Sequence, residues 1–137
     1  MSEHLTRSEA ETTALGEKLG RLLTEGDVVL LDGPLGAGKT AFARGLGTGL
    51  GGDPADVSSP TFTIVQEYRG RVPLEHVDLY RVTPAEVGDL GLDELTEHAV
   101  VAVEWADRWP QSPADAVAVT LESLGGDKRK ITIRTQN

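Results

Sequence analysis

The chain contains no cysteine in its 137 residues, which excludes a disulfide framework and any thiolate metal site. No apolar run approaches the roughly 20 residues that a membrane helix needs, and the polar opening Met1-Ser2-Glu3-His4 does not read as a secretory signal. Positive charge is also scarce. Lys and Arg number 13 against 22 Asp and Glu, giving a net charge of −9. A protein that grips RNA alone usually carries a basic face, because phosphate neutralisation dominates that affinity. Any RNA contact is therefore expected to run through a partner. No Asn-Lys-x-Asp segment is present to read guanine. These absences leave one cytoplasmic domain of ordinary composition as the expectation, long enough to bury a core without a covalent staple.

Hydrophobic spacing organises the chain. Ser8-Glu9-Ala10-Glu11 has capping-box spacing, and Leu15, Leu19, Leu22 and Leu23 follow at helical intervals, with Gly26 placed to end the helix. Asp27 to Leu31 is a short apolar run, expected to form a buried strand. A glycine-rich turn then leads into a helix from about Lys39 to Leu50, with Phe42, Leu46 and Leu50 on one stripe. Gly45, Gly47 and Gly49 each weaken this helix by up to about 1 kcal/mol relative to alanine, so its second half either frays or packs tightly against a neighbour. Gly51 to Ser59 reads as a loop, and Thr61 to Tyr68 and Glu75 to Leu79 read as strands. Thr83-Pro84-Ala85-Glu86 starts another helix. Ala99 to Glu104 is a further apolar run, and Ala116 to Glu122 pairs with Lys130 to Thr135 in a hairpin through Gly125-Gly126-Asp127. Interleaved helices and strands with a closing antiparallel pair predict an α/β sandwich around a mixed sheet.

Gly33-Pro34-Leu35-Gly36-Ala37-Gly38-Lys39-Thr40 matches the full P-loop pattern Gly-x-x-x-x-Gly-Lys-Thr, between an apolar strand and an amphipathic helix as that motif requires. Backbone N–H groups in such a turn form a nest for an anion, and glycine supplies positive φ and room for phosphate. The start of the helix adds the positive end of its dipole. Gly33, Gly36, Ala37 and Gly38, with Lys39, Thr40 and Ala41 opening the helix, are the candidate phosphate contacts. Lys39 is placed for the β- and γ-phosphates of ATP, and Thr40 offers a hydroxyl to Mg²⁺. Such a site also needs carboxylates at strand ends. Glu104 closes Val100-Val101-Ala102-Val103 and Asp78 sits in Glu75-His76-Val77-Asp78-Leu79, so each is a candidate catalytic acid and metal ligand. The bland reading of either is a solvated carboxylate at a strand end. Trp105 either covers the nucleotide or fills the core. His76 alone reads as packed rather than catalytic. Arg44 and Arg81 read as surface arginines before arginine fingers, and Lys128-Arg129-Lys130 as a charged hairpin tip before a phosphate or RNA contact.

Gly33 to Thr40 as GPLGAGKT, Ser59-Pro60-Thr61-Phe62-Thr63, and His76-Val77-Asp78-Leu79-Tyr80-Arg81 followed by Val103-Glu104-Trp105 together resemble the TsaE (YjeE) family. This is the bacterial ATPase family of tRNA threonylcarbamoyladenosine biosynthesis. The resemblance runs from about Thr12 to Trp105, and the residues beyond carry little of it. It implies a P-loop NTPase three-layer sandwich, its sheet parallel at the centre and flanked by antiparallel strands. It also implies ATP and Mg²⁺ as ligands, slow hydrolysis by the isolated chain, and the TsaB–TsaD pair as partner. That pair, using an intermediate made by TsaC, places N6-threonylcarbamoyl on the adenosine beside the anticodon of ANN-reading tRNAs. The ATPase then serves multiple turnover rather than the transfer itself. Carried over residue by residue, Thr40 and Glu104 serve Mg²⁺, and Asp78 is a metal or water-positioning acid. Thr61 lies in a switch segment sensing the γ-phosphate, Trp105 lies near the nucleotide, and Thr12 near the base. Arg129 or Lys130 is the late basic residue that reaches the nucleotide. Pro34 departs from the family's Asp or Glu, removing an N–H and a charge on the approach to the loop.

The chemistry that follows is in-line attack of water on the γ-phosphate, with Lys39 and Mg²⁺ neutralising charge and Asp78 or Glu104 orienting the water. A small P-loop kinase would need an acceptor pocket and an arginine-bearing lid, and neither segment is found. A nucleotide-gated scaffold without useful turnover is the other alternative, and the presence of Asp78 and Glu104 weighs against it.

Overall fold

Val28-Val29-Leu30-Leu31 is apolar at successive positions, which suits a strand covered on both faces, and it takes the centre of the sheet in the computed structural model, which describes residues 1–34, 37–53 and 65–135. The strands are β1 (Ser2–Thr6), β2 (Val28–Asp32), β3 (Val65–Tyr68), β4 (Leu74–Asp78), β5 (Val100–Glu104), β6 (Val117–Gly125) and β7 (Lys128–Arg134). They form one seven-stranded sheet in the order β1-β7-β6-β2-β5-β4-β3. β6, β2, β5 and β4 run parallel, whereas β7, β1 and β3 pair antiparallel at the flanks.

Each face carries its own apolar layer. α1 (Glu9–Gly20) and α2 (Lys39–Gly49) cover one face, where Leu19, Phe42 and Leu46 pack with Val29, Leu31 and Ala102. The other face carries the short helices α3 (Pro84–Val87) and α4 (Leu92–Leu95), with Val87 and Leu92 packed beside Val77, Val101 and Val103. This is the three-layer sandwich with a parallel centre and antiparallel flanks. Among the described residues no helix is long and apolar enough to cross a membrane.

The glycines of α2 are where the helices touch. A Cβ on Gly45 would lie 2.0 Å from the carbonyl oxygen of Thr13, and one on Gly49 would lie 2.3 Å from that of Glu17. On the facing side, Gly16 and Gly20 approach the α2 backbone as closely. Of the two fates open to the second half of this helix, tight packing is the one adopted.

Several expectations change. β1 was not foreseen, because its weak pattern gains order only from pairing with β7, Ser2 opposite Ile133 through Thr6 opposite Arg129. α1 ends at Gly20 rather than at Gly26, with the Arg21 N–H donating to Glu17 and Leu22 left exposed. Gly26, at φ 96°, instead serves the turn into β2 and donates to the carbonyl of Ala99. Ser8 does cap the Glu11 N–H, but the Glu11 carboxylate accepts from Arg7, so the box is only half formed. Residues 61–64 of the expected strand before Tyr68, and most of the loop before them, lie outside the described residues.

One feature of the β3–β4 ladder is unusual. Glu67 and Glu75 stand directly opposite each other. Burial, then the hydrogen bond and charge of Glu67, push the Glu75 carboxyl up to about 7.

Candidate active site

Parallel register sets the site. β4 and β5 end level, with Asp78 opposite Glu104, and Leu31 of β2 flanks Glu104 on the other side. The chain builds β3 to β5 on one side of β2 and β6 and β7 on the other, and ligands of open α/β sheets bind where the order reverses, beyond the carboxyl ends of the strands.

The chain leaves β2 through Gly33 and enters α2 at Lys39. A Cβ on Gly33 would meet the Leu121 carbonyl oxygen at 2.7 Å, and Gly38 caps α2 from the left-handed region at φ 97°. Both positions require glycine. Gly38 has no side chain to cap the helix, so the first-turn N–H groups of α2 border an open cleft of about 340 Å³. Lys39, Thr40 and Ala41 line it from the helix, and Asp78, Glu104 and Trp105 line it from the strand ends.

Glu104 is 6% exposed and holds two side-chain partners. His76 Nε2 lies 2.8 Å from its Oε2, and Lys39 Nζ lies 3.7 Å from its Oε1. Burial alone would raise the Glu104 pKa, but the hydrogen bond and charge of His76, joined by Lys39, outweigh burial and hold the carboxyl below its ordinary range. His76 is packed, as expected of a lone histidine, yet it also orients a strand-end acid. The available signal was its position two residues before Asp78, on the same face of β4.

Trp105 adopts φ 60°, the one positive φ at a non-glycine position among the described residues. This conformation costs roughly 1–2 kcal/mol. It leaves the ring half-buried in the cleft wall, 5.0 Å from the ring of Tyr80 and 4.7 Å from Lys39 Nζ, so Trp105 faces the site. Asp78 is half-buried, with its Oδ1 accepting the Tyr80 N–H at 2.9 Å.

The opposite rim comes from α1 and β7. Thr12 is buried, with its hydroxyl 2.7 Å from that of Thr6 and its methyl beside Gly38. Arg129 Nε donates to the Ala37 carbonyl at 3.1 Å and Nη1 to the Gly126 carbonyl at 2.6 Å, bracing the loop against the β6–β7 turn. Lys130, the alternative late basic residue, points elsewhere and pairs with Glu3. Arg44 lines the cleft, paired to Glu9 at 3.1 Å, whereas Arg81 is exposed and does not line it. Glu9, Tyr80 and Asp127 also line the cleft and were not foreseen. Gly36 and Thr61 lie outside the described residues.

The donor set suits Mg·ATP. A hydroxyl from Thr40 and carboxylates from Asp78 and Glu104 are the hard oxygen ligands that Mg²⁺ takes. Lys39 and the bare start of α2 suit phosphate.

The family described as "Threonylcarbamoyl adenosine biosynthesis protein TsaE" matches residues 6–131, so the likeness extends past Trp105 through β6 and into β7. The chain is 40% identical over 132 residues to the "tRNA threonylcarbamoyladenosine biosynthesis protein TsaE" of Treponema pallidum, covering 94% of this chain and 97% of that one. It is 44% identical over 127 residues to the protein of the same name from Nostoc sp., covering 88% and 78%. The crystal structure of YdiB from Bacillus subtilis superposes with a TM-score of 0.81 at 34% identity, over 99% of this chain and 86% of that one.

Proposed function

The chain belongs to the TsaE family of tRNA threonylcarbamoyladenosine biosynthesis proteins, and on that premise we propose that it binds Mg·ATP in the cleft and hydrolyses it slowly. One observation carries the reading: Lys39, Thr40, Asp78 and Glu104, distant in sequence, converge at one end of the parallel strands beside the bare start of α2. Lys39 and the first-turn N–H groups of α2 take the β- and γ-phosphates. Thr40 and Glu104 hold Mg²⁺, which when bound neutralises charge on those phosphates. Asp78 orients the water for in-line attack on the γ-phosphate. Trp105 covers the nucleotide, Thr12 lies toward its base, and Arg129 keeps the loop in place.

The activity serves threonylcarbamoylation of the adenosine beside the anticodon of ANN-reading tRNAs, with the TsaB–TsaD pair as partner, in the cytoplasm. A net charge of −9 supports tRNA contact through those partners rather than directly. A specific observation also favours low turnover by the isolated chain. Glu104 is already engaged by Lys39, so that lysine has to release it to reach an incoming nucleotide's phosphates.

The test is ATP hydrolysis by the purified chain, alone and with TsaB–TsaD, with Lys39→Ala as control. Stimulation by the partners that vanishes in the control is the expected result. ATP binding without stimulation would replace this reading with a nucleotide-gated scaffold.

A further inference from the structure

We propose that Glu67, Glu75 and His98 form a second cation site, separate from the nucleotide cleft, that takes a divalent transition ion of the zinc class. The three come from different segments. Glu67 and Glu75 are directly paired across β3 and β4, and His98 precedes the first residue of β5 by two positions. One ligand atom from each, two carboxylate oxygens and an imidazole nitrogen, lie within 4.8 Å of one another.

The carboxylate pair needs a compensating charge. Like charges directly opposite in a ladder are destabilising, and a buried ionised carboxylate is costlier still. Glu75 is only 4% exposed, and among the described residues its carboxyl has no ion pair and hydrogen-bonds only to the carboxyl of Glu67, which requires one of the two to hold a proton. Arg71, the cation nearest in sequence to the β3–β4 turn's return strand, is committed to the carbonyls of Gly20, Arg21 and Leu23.

The imidazole narrows the choice of ion. Two carboxylate oxygens and one histidine nitrogen are a zinc-type ligand set with a fourth position left for water, whereas Mg²⁺ and Ca²⁺ select oxygen. Metal–ligand distances of about 2.0–2.2 Å put ligand atoms roughly 3.4 Å apart. Whatever adjustment that spacing requires falls on Glu67 and His98, both exposed and free of core packing that would oppose it. The ion would tie the short edge strand β3 to β4 and to the entry of β5. Glu75 lies on the same face of β4 as Val77, which packs on the α3–α4 side of the sheet, so the site does not extend from Asp78 and Glu104.

Zinc titration of the metal-free full chain against a chromophoric chelator tests this, with parallel thermal melts. Expected is one zinc per chain that raises Tm, with affinity falling at least about tenfold in Glu67→Gln and in His98→Asn, since even indirect supports of a metal site cost that much. Asp78→Asn is expected to retain the zinc. The two ligand variants alter exposed side chains, so they stay interpretable where Glu75→Gln fails to fold. Absence of zinc binding below millimolar concentration overturns the proposal. So does binding untouched by His98→Asn, or binding abolished by Asp78→Asn.

Discussion

Replacing Gly45 by alanine sets two effects of opposite sign against each other. Alanine in place of glycine inside a helix gains up to about 1 kcal/mol from backbone entropy. The added methyl, however, would sit 2.0 Å from the Thr13 carbonyl oxygen, 2.8 Å from the Glu17 nitrogen and 3.0 Å from the Gly16 carbonyl carbon. Every one of these atoms is α1 backbone, so no side-chain rotation relieves the contact and the helices must separate. Overpacking typically costs 1–3 kcal/mol, and a clash with backbone belongs at the upper end. Subtracting the propensity gain leaves a net loss of about 2 kcal/mol, a drop in Tm of roughly 6–10 °C for a domain of this size. Separation also draws Thr12 away from Gly38, so ATP affinity is expected to fall with stability. The internal control is Gly88→Ala. Gly88 has φ −58° and nothing within 4 Å of an added Cβ, so alanine there gains roughly 0.4–1 kcal/mol. Urea unfolding followed by circular dichroism, without nucleotide, compares the midpoints at unchanged slope. A Gly45→Ala protein as stable as the parent would refute the packing argument.

Glu104→Ala is expected to weaken Mg²⁺-dependent ATP binding, whereas Asp78→Ala spares binding and slows hydrolysis by about a hundredfold or more. Titrating Mg·ATP into both variants and finding the reverse pattern would exchange their roles. Arg129→Ala removes the brace on Ala37 and Gly126, and about 1.4 kcal/mol of lost preorganisation corresponds to tenfold weaker ATP binding in calorimetry. For Glu75 the folded pKa of about 7 lies above the ordinary value of 4.5, so between those values the folded state holds a proton that the unfolded state has lost. Metal-free protein therefore loses stability as pH rises through that window. Glu75→Gln removes this contribution, and unfolding measured near pH 5 and near pH 8 shows whether the parent's slope flattens.

What was legible in the sequence was local. The apolar run of β2, the P-loop spacing, the stripe of Phe42, Leu46 and Leu50, and the strand-end positions of Asp78 and Glu104 each fit within a short window. What escaped depends on pairing between distant segments. β1 exists because β7 offers it an edge. Arg44 enters the cleft beside Glu9 because α1 and α2 approach at their glycines. His76 gains its role only when β4 and β5 fall into a register that sets its imidazole against Glu104. Trp105 was open between core and cleft and meets both, packing on the core layer of the α3–α4 face while its ring lies against Lys39.

The two ends of β4 present the same electrostatic problem with different answers. At the carboxyl end, Asp78 stands opposite Glu104; near the other end, Glu75 stands opposite Glu67. Paired carboxylates repel, and burial of one member makes the charge harder to keep. At Glu104 two partners are built in, the His76 imidazole from β4 and the Lys39 ammonium from the P-loop helix, and they hold the carboxyl below its ordinary range despite its burial. At Glu75 no ion pair forms among the described residues, His98 standing nearby without reaching ion-pair distance, and the carboxyl is pushed up to about 7. The compensating charge at Glu104 includes Lys39, the group that ATP phosphates would draw away, so an arriving nucleotide leaves Glu104 in need of another cation. On the proposed function, that coupling would make nucleotide and metal favour each other in the cleft. At Glu75 no nucleotide is involved, so a proton or an external cation must fill the same need, and the imidazole of His98 is what tips the choice toward a metal.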